Sequence, residues 1–172
     1  MKDVRRAFEH ALADSGGIDA AIATAEAFLA THGDHPVAGA YLGSLNGMKA
    51  GEAALPWVKL RLANLASELL DRAHARRFDA PPASREEEDA YPGTLVILLL
   101  RGIAYASFPP FLGRREAARD SLEEAMRHPG FAGIPASYRA LACSHLAVMH
   151  AHESAEHAAR RLLDEARRAD GP

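Results

Sequence analysis

The sequence contains a single cysteine and a single tryptophan among its 172 residues. One cysteine, Cys143, excludes an internal disulfide and predicts a reducing compartment. Lysine is scarce too, and the formal net charge is −3. Such a balance provides no general basic field that would attract nucleic acid or an anionic membrane. We therefore expect a cytoplasmic protein with no nucleic-acid partner.

Long hydrophobic runs are missing as well. The longest, Leu95 to Leu100, is far shorter than the roughly 20 residues that a membrane helix needs. The N-terminal stretch "MKDVRRAFEHALADS" is charged and predicts no signal peptide. No segment alternates apolar and polar residues as a strand does. The hydrophobic residues, 48% of the chain, are enough to form a core. We therefore expect one all-α domain over residues 1–172, with no membrane partner.

Helical periodicity predicts about eight helices, near residues 4–13, 18–31, 37–50, 56–76, 94–107, 114–127, 137–152 and 155–169. The proline-rich stretch "FDAPPASREEEDAYPG" separates the fourth helix from the fifth, because proline breaks helices. The other connections are short and predict antiparallel helical hairpins stacked in series. The predicted core includes Phe28, Leu42, Leu70, Leu98, Leu122, Leu146 and Leu162.

Small residues recur at matching places in the predicted hairpins. The first helices carry Gly43, Gly102 and Ala142, followed three residues later by Asn46, Tyr105 and His145. The second helices carry two small residues around a leucine: Ala66, Leu70 and Ala73; Ala118, Leu122 and Ala125; Ala158, Leu162 and Ala166. A glycine here permits a neighbouring helix to approach closely. We therefore predict a close crossing at Gly102.

This pattern resembles the tetratricopeptide repeat (TPR), in which a glycine precedes a tyrosine by three residues and the second helix carries spaced alanines. The resemblance is clearest over Val96 to Pro129. It implies a TPR-like right-handed superhelix of stacked hairpins. It further implies a non-catalytic scaffold that binds a partner protein or peptide through a concave surface.

Two residues stand out from the packing pattern. Arg101 interrupts an apolar helix, and a mostly buried arginine needs a carboxylate or carbonyl partner. That partner is either internal, which we favour, or supplied by a bound protein. Trp57 has two interpretations as well: a plug between hairpins, which is the favoured one, or an exposed anchor of the kind that dominates binding hot spots.

The predicted partner-binding residues combine these features with neighbouring aromatic and basic positions: Tyr41, Trp57, Lys59, Arg61, Leu99, Arg101, Tyr105 and Arg139. The inner wall of the predicted superhelix would be mostly apolar, drawing on Val37, Ala40, Ser44, Val96, Leu99, Ile103, Arg139 and Cys143. An apolar wall favours a helix or an apolar peptide as the partner, and a dedicated enzyme or a second copy of the chain are further possibilities.

Histidines near the seventh helix offer an alternative function, a metal-dependent or enzyme-accessory subunit. The candidates are His145, His150, His152 and His157. Ligand pairs on one helix usually have a spacing of four residues, and these histidines do not. Cys143 beside His145 suggests a thiol nucleophile, but residues two apart face different sides of a helix. The sequence therefore favours no catalytic residue, no metal and no cofactor.

Overall fold

The computed structural model describes residues 1–79, 91–152 and 156–170. Every regular element within those ranges is helical, which confirms the all-α class. The α-helices are α1 (Lys2–Ala13), α2 (Ile18–His32), α3 (Pro36–Glu52), α4 (Pro56–Ala75), α5 (Gly93–Ala106), α6 (Arg115–Arg127), α7 (Ala136–His152) and α8 (Glu156–Asp170). The predicted proline-rich break falls largely on residues 80–90, and the predicted start of the last helix on residue 155, both outside the described residues.

Proline marks the start of two of these helices. Pro36 and Pro56 occupy the first turns of α3 and α4, where the missing N–H of proline has no cost. Before Pro36, the His35 imidazole accepts a hydrogen bond from the Ala38 N–H at 3.4 Å. It thereby satisfies one of the free donors at the start of α3.

The chain divides into two compact units, Met1–Arg101 and Gly102–Pro172, with the boundary inside α5. In the first unit, α1 packs on α2, α2 on α3, and α3 on α4. The rings of Phe8 in α1 and Tyr41 in α3 lie 5.0 Å apart. In the second unit, Ala140 and Cys143 of α7 form a core cluster with Ala166 of α8, and Met126 of α6 packs against it.

Close helix approaches occur at both glycines of the repeat pattern. A Cβ atom added to Gly43 would lie 2.8 Å from Leu70 Cγ, and one added to Gly102 would lie 2.5 Å from Leu122 Cγ. Real Cβ atoms essentially never approach other heavy atoms this closely. The close crossing predicted at Gly102 is therefore confirmed. The TPR-like family and the superhelix remain predictions.

The predicted core is correct at its leucines. Each of the following is less than a tenth exposed: Leu42, Leu70, Leu98, Leu122, Leu146 and Leu162. Phe28 differs, since it is only half-buried near the end of α2. Its ring stacks on the His32 ring at 4.0 Å, so this phenylalanine covers the end of the helix rather than the centre of the core.

Candidate interaction site

The start of α4 is exposed on nearly all sides. Trp57 is 68% exposed, and its apolar neighbours Leu55 and Leu60 are 48% and 45% exposed. Lys59 and Arg61 are exposed in the same two turns of the helix. We call these five residues the Trp57 surface. The interpretation of Trp57 as a plug between hairpins is wrong, because two thirds of the residue faces solvent.

Local chain geometry produces this exposure. Leu55 is extended at the helix N-cap, as expected for a residue before proline. The α-helix then starts at Pro56, and the buried positions begin only at Leu62 and Ala63. The first turn and a half of α4 therefore precedes the part of the helix that is packed.

The Trp57 surface carries positive charge. Neither the Lys59 ammonium nor the Arg61 guanidinium forms a hydrogen bond or an ion pair with another residue of the described ranges. Their aliphatic stems extend the apolar area, while their charged ends are free to meet an acidic partner group. Trp57, Lys59 and Arg61 were predicted from the sequence, whereas Leu55 and Leu60 were not, although both lie in the same run, "LPWVKLRL".

Three other predicted binding residues belong to the core. Tyr41, Leu99 and Tyr105 are 7%, 6% and 1% exposed, which corrects the expectation that they contribute to a binding surface. The apolar inner wall needs the same correction, since several of its members are buried: Val37, Ala40, Ser44 and Cys143. Helix packing uses these side chains, so they offer little area to a partner.

Arg101 has the internal partner that the sequence favoured. Its Nε and one terminal nitrogen donate to Asp71 Oδ1 at 3.1 Å and 2.9 Å. The arginine side chain is 12% exposed and the aspartate side chain 39%. This ion pair joins α4 to α5 within the first unit. Arg101 therefore acts in the fold, which corrects its assignment to the binding surface.

Arg139 is engaged as well. Its guanidinium donates to the Ala132 carbonyl, and to the Ile134 carbonyl at 3.4 Å. Both acceptors lie in the turn that precedes α7. The arginine thus fastens this turn to the first part of the helix, and its predicted role in partner binding is corrected accordingly.

A pocket of about 230 Å³ lies in the second unit, beside the connector between α5 and α6. The connector runs over residues 107–114 and turns at Gly113, whose φ of +64° favours glycine. We call this cavity the connector pocket. It is lined by Tyr105, Ala106, Phe108, Pro109, Pro110, Arg115, His145, Val148 and Met149. No sequence motif predicts this pocket, because its walls come from segments that are distant along the chain.

Cys143 is fully buried, and burial raises the pKa of its thiol to about 11. The thiol is therefore protonated at neutral pH, whereas a nucleophile requires the thiolate. Burial also lowers the pKa of His145, which keeps this imidazole neutral under the same conditions.

The described ranges contain no group of three or more histidine, cysteine, aspartate or glutamate side chains that could hold a metal ion. Two of the histidines considered for the alternative function, His152 and His157, have side chains outside the described part. Of the others, His150 Nε2 lies 3.9 Å from Glu123 Oε1.

Comparison with family models, with curated proteins and with solved structures gives no significant match. Among the described residues, no helix combines the length and the apolarity needed to cross a bilayer. Function must therefore be inferred from the surface chemistry of the chain itself.

Proposed function

We propose that this protein is a non-catalytic interaction module of stacked TPR-like hairpins, which binds a partner protein through the Trp57 surface. The observation that carries the proposal is the 68% exposure of Trp57, next to two leucines that are each almost half exposed. Exposed tryptophan is costly in water, and tryptophan is enriched among residues that dominate binding energy.

Charge narrows the class of partner. Arg61 lies four residues after Trp57, on the same side of α4, so a complementary surface would present an apolar pocket for the indole with an acidic group at its rim. The arrangement matches the usual anatomy of a protein interface, an apolar core within a polar margin. A cytoplasmic partner suits the single, unpaired cysteine.

The decisive experiment compares partner capture by matched variants. Affinity capture from the native cell, followed by mass spectrometry, should recover a partner with the wild-type chain. Trp57→Ala should reduce capture by about tenfold or more, which is the effect of losing a hot-spot residue. Reversing charge with Lys59→Glu and Arg61→Glu should weaken capture in a salt-dependent manner.

Leu12→Ala is the matched control, because Leu12 is a large apolar residue with 49% exposure on α1. It should capture the partner as the wild type does. Thermal unfolding of each variant verifies that the fold is retained. Equal capture by Trp57→Ala and Leu12→Ala would refute the proposal, and light scattering identifies the case in which the partner is a second copy of the chain.

A further inference from the structure

The connector pocket has a preformed apolar floor. Tyr105 and Met149 are 1% and 4% exposed, so their side chains are held by the surrounding core. The ring centroids of Tyr105 and Phe108 are 5.6 Å apart, and the Arg114 guanidinium lies 5.3 Å from the centre of the Tyr105 ring. Tyr105 and Met149 thus form a rigid floor beneath the pocket, while Phe108 and Val148, which are more exposed, provide the apolar area that a ligand can reach. A floor that is already ordered leaves little conformational entropy to be lost on binding.

Two polar side chains line the same pocket without a partner. Arg115 and His145 form no hydrogen bond or ion pair with any other described residue, although His145 is half-buried. Neither side chain is committed to another described group, so both are available to a ligand. Both groups can donate hydrogen bonds, so the ligand that satisfies them must supply acceptors.

Charge and size narrow the ligand further. The guanidinium of Arg115 carries one positive charge in a planar fork that matches a carboxylate. A volume of about 230 Å³ lies below the range of about 300–1,000 Å³ found for drug-sized ligands. The occupant is thus small, with an apolar body and one anionic group.

We propose that the connector pocket binds a small monocarboxylate. The ring or chain of the ligand contacts Phe108 and Val148 above the floor of Tyr105 and Met149, and its carboxylate pairs with Arg115 and accepts a hydrogen bond from the His145 imidazole. This site is separate from the Trp57 surface and does not depend on the proposed protein partner.

The test uses phenylacetate, a single ring with a carboxylate, and phenylacetamide, its uncharged counterpart. Each is titrated into the full chain while the imidazole signals are followed by nuclear magnetic resonance. Phenylacetate should shift the His145 signals in a saturable manner, whereas those of His10 and His128 stay in place. The affinity for the amide should be lower by about tenfold or more, because the amide cannot form the ion pair.

Arginine variants at the two ends of α6 provide the matched comparison. Arg115→Gln should weaken phenylacetate binding by about tenfold, while Arg127→Gln should leave it unchanged, as should Trp57→Ala. Thermal unfolding should be unaffected in all three, since these side chains are exposed. The proposal is overturned by unmoved His145 signals, by equal binding of the amide, or by equal losses in Arg115→Gln and Arg127→Gln.

Discussion

The hairpin of α3 and α4 and the hairpin of α5 and α6 share one crossing and differ in their connectors. Gly43 lies against Leu70 just as Gly102 lies against Leu122, and the flanking alanines of α4 and α6 are buried in both. The first connector is a short turn that leaves Trp57 exposed. The second is longer and lines a pocket. The shared crossing supports the fold, whereas the connectors provide the differences on which a function can be built.

A second contrast lies beside each glycine. Leu42 precedes Gly43, but Arg101 precedes Gly102, and Asp71 compensates this arginine. Three residues after each glycine stand Asn46 and Tyr105. The Asn46 side-chain amide donates a hydrogen bond to the Leu42 carbonyl of its own helix at 2.9 Å. Tyr105 instead lines the connector pocket.

The largest effect is expected from filling the crossings. Gly102→Leu and Gly43→Leu should each cost more than the roughly 1–3 kcal/mol typical of overpacking, or prevent folding, because the new side chain would overlap a buried leucine. Urea denaturation measures the loss. Gly51→Leu is the control, since a Cβ atom there meets nothing within 4 Å. If only one of the two leucine substitutions were destabilising, the two crossings would not be equivalent.

A smaller loss should follow from separating the ion pair. Asp71→Leu removes a charged partner of Arg101, whose side chain is only 12% exposed, and should cost about 1–3 kcal/mol. Arg101→Leu introduces the residue type that precedes Gly43 and should cost less, because the Asp71 side chain is 39% exposed and therefore better solvated. Chemical denaturation of both single variants and the double variant provides the coupling energy. A larger loss for Arg101→Leu than for Asp71→Leu would contradict this account.

Lowering the pH should reduce the unfolding free energy through the buried His145. Its pKa is lowered in the fold from an ordinary value of 6.5, so the unfolded chain binds a proton more readily. The associated stability is complete above that value and is lost as the pH falls from 6.5 toward the pKa of the folded state. His145→Asn introduces asparagine, the residue found at the equivalent position 46 of α3. It should reduce the pH dependence of the unfolding free energy. Burial lowers the pKa of His35 as well, so His35→Asn should change the pH profile in the same direction. An unchanged pH profile in His145→Asn would show that this imidazole is solvated.

The smallest effect is a gain. Gly51 lies in α3, as Gly43 does, but has open space around it. Gly51→Ala should stabilise the protein by about 0.4–1 kcal/mol, because alanine restricts the unfolded chain and favours the helix. The same substitution at Gly43 should destabilise it. Thermal unfolding of the two variants tests whether proximity alone distinguishes these glycines, and equal effects would indicate that it does not.

Local periodicity was sufficient to predict the fold class and the helices. Burial of Leu70 and Leu122, and the close approach at Gly102, follow from spacing within single helices. Arg101 was predictable in kind, because a charge within an apolar helix demands a partner, but Asp71 could not be identified from spacing alone. It lies 30 residues away, and only the pairing of α4 with α5 brings it near.

The candidate sites were predicted less well, for a physical reason. Aromatic residues satisfy either a core or a binding surface, and sequence alone does not distinguish the two at Tyr41, Trp57 and Tyr105. Exposure separates them: two of these rings are buried, and the third faces solvent. The connector pocket unites Arg115 with His145, which no motif links.

The position of Trp57 gives this chain a built-in optical reporter. Since it is the only tryptophan and two thirds of it faces solvent, its fluorescence reports the polarity at the start of α4 rather than the state of the core. Emission should already resemble that of a water-exposed indole before unfolding. Docking of a partner on the indole should move the emission to shorter wavelengths, so association can be followed on the unmodified protein without any label.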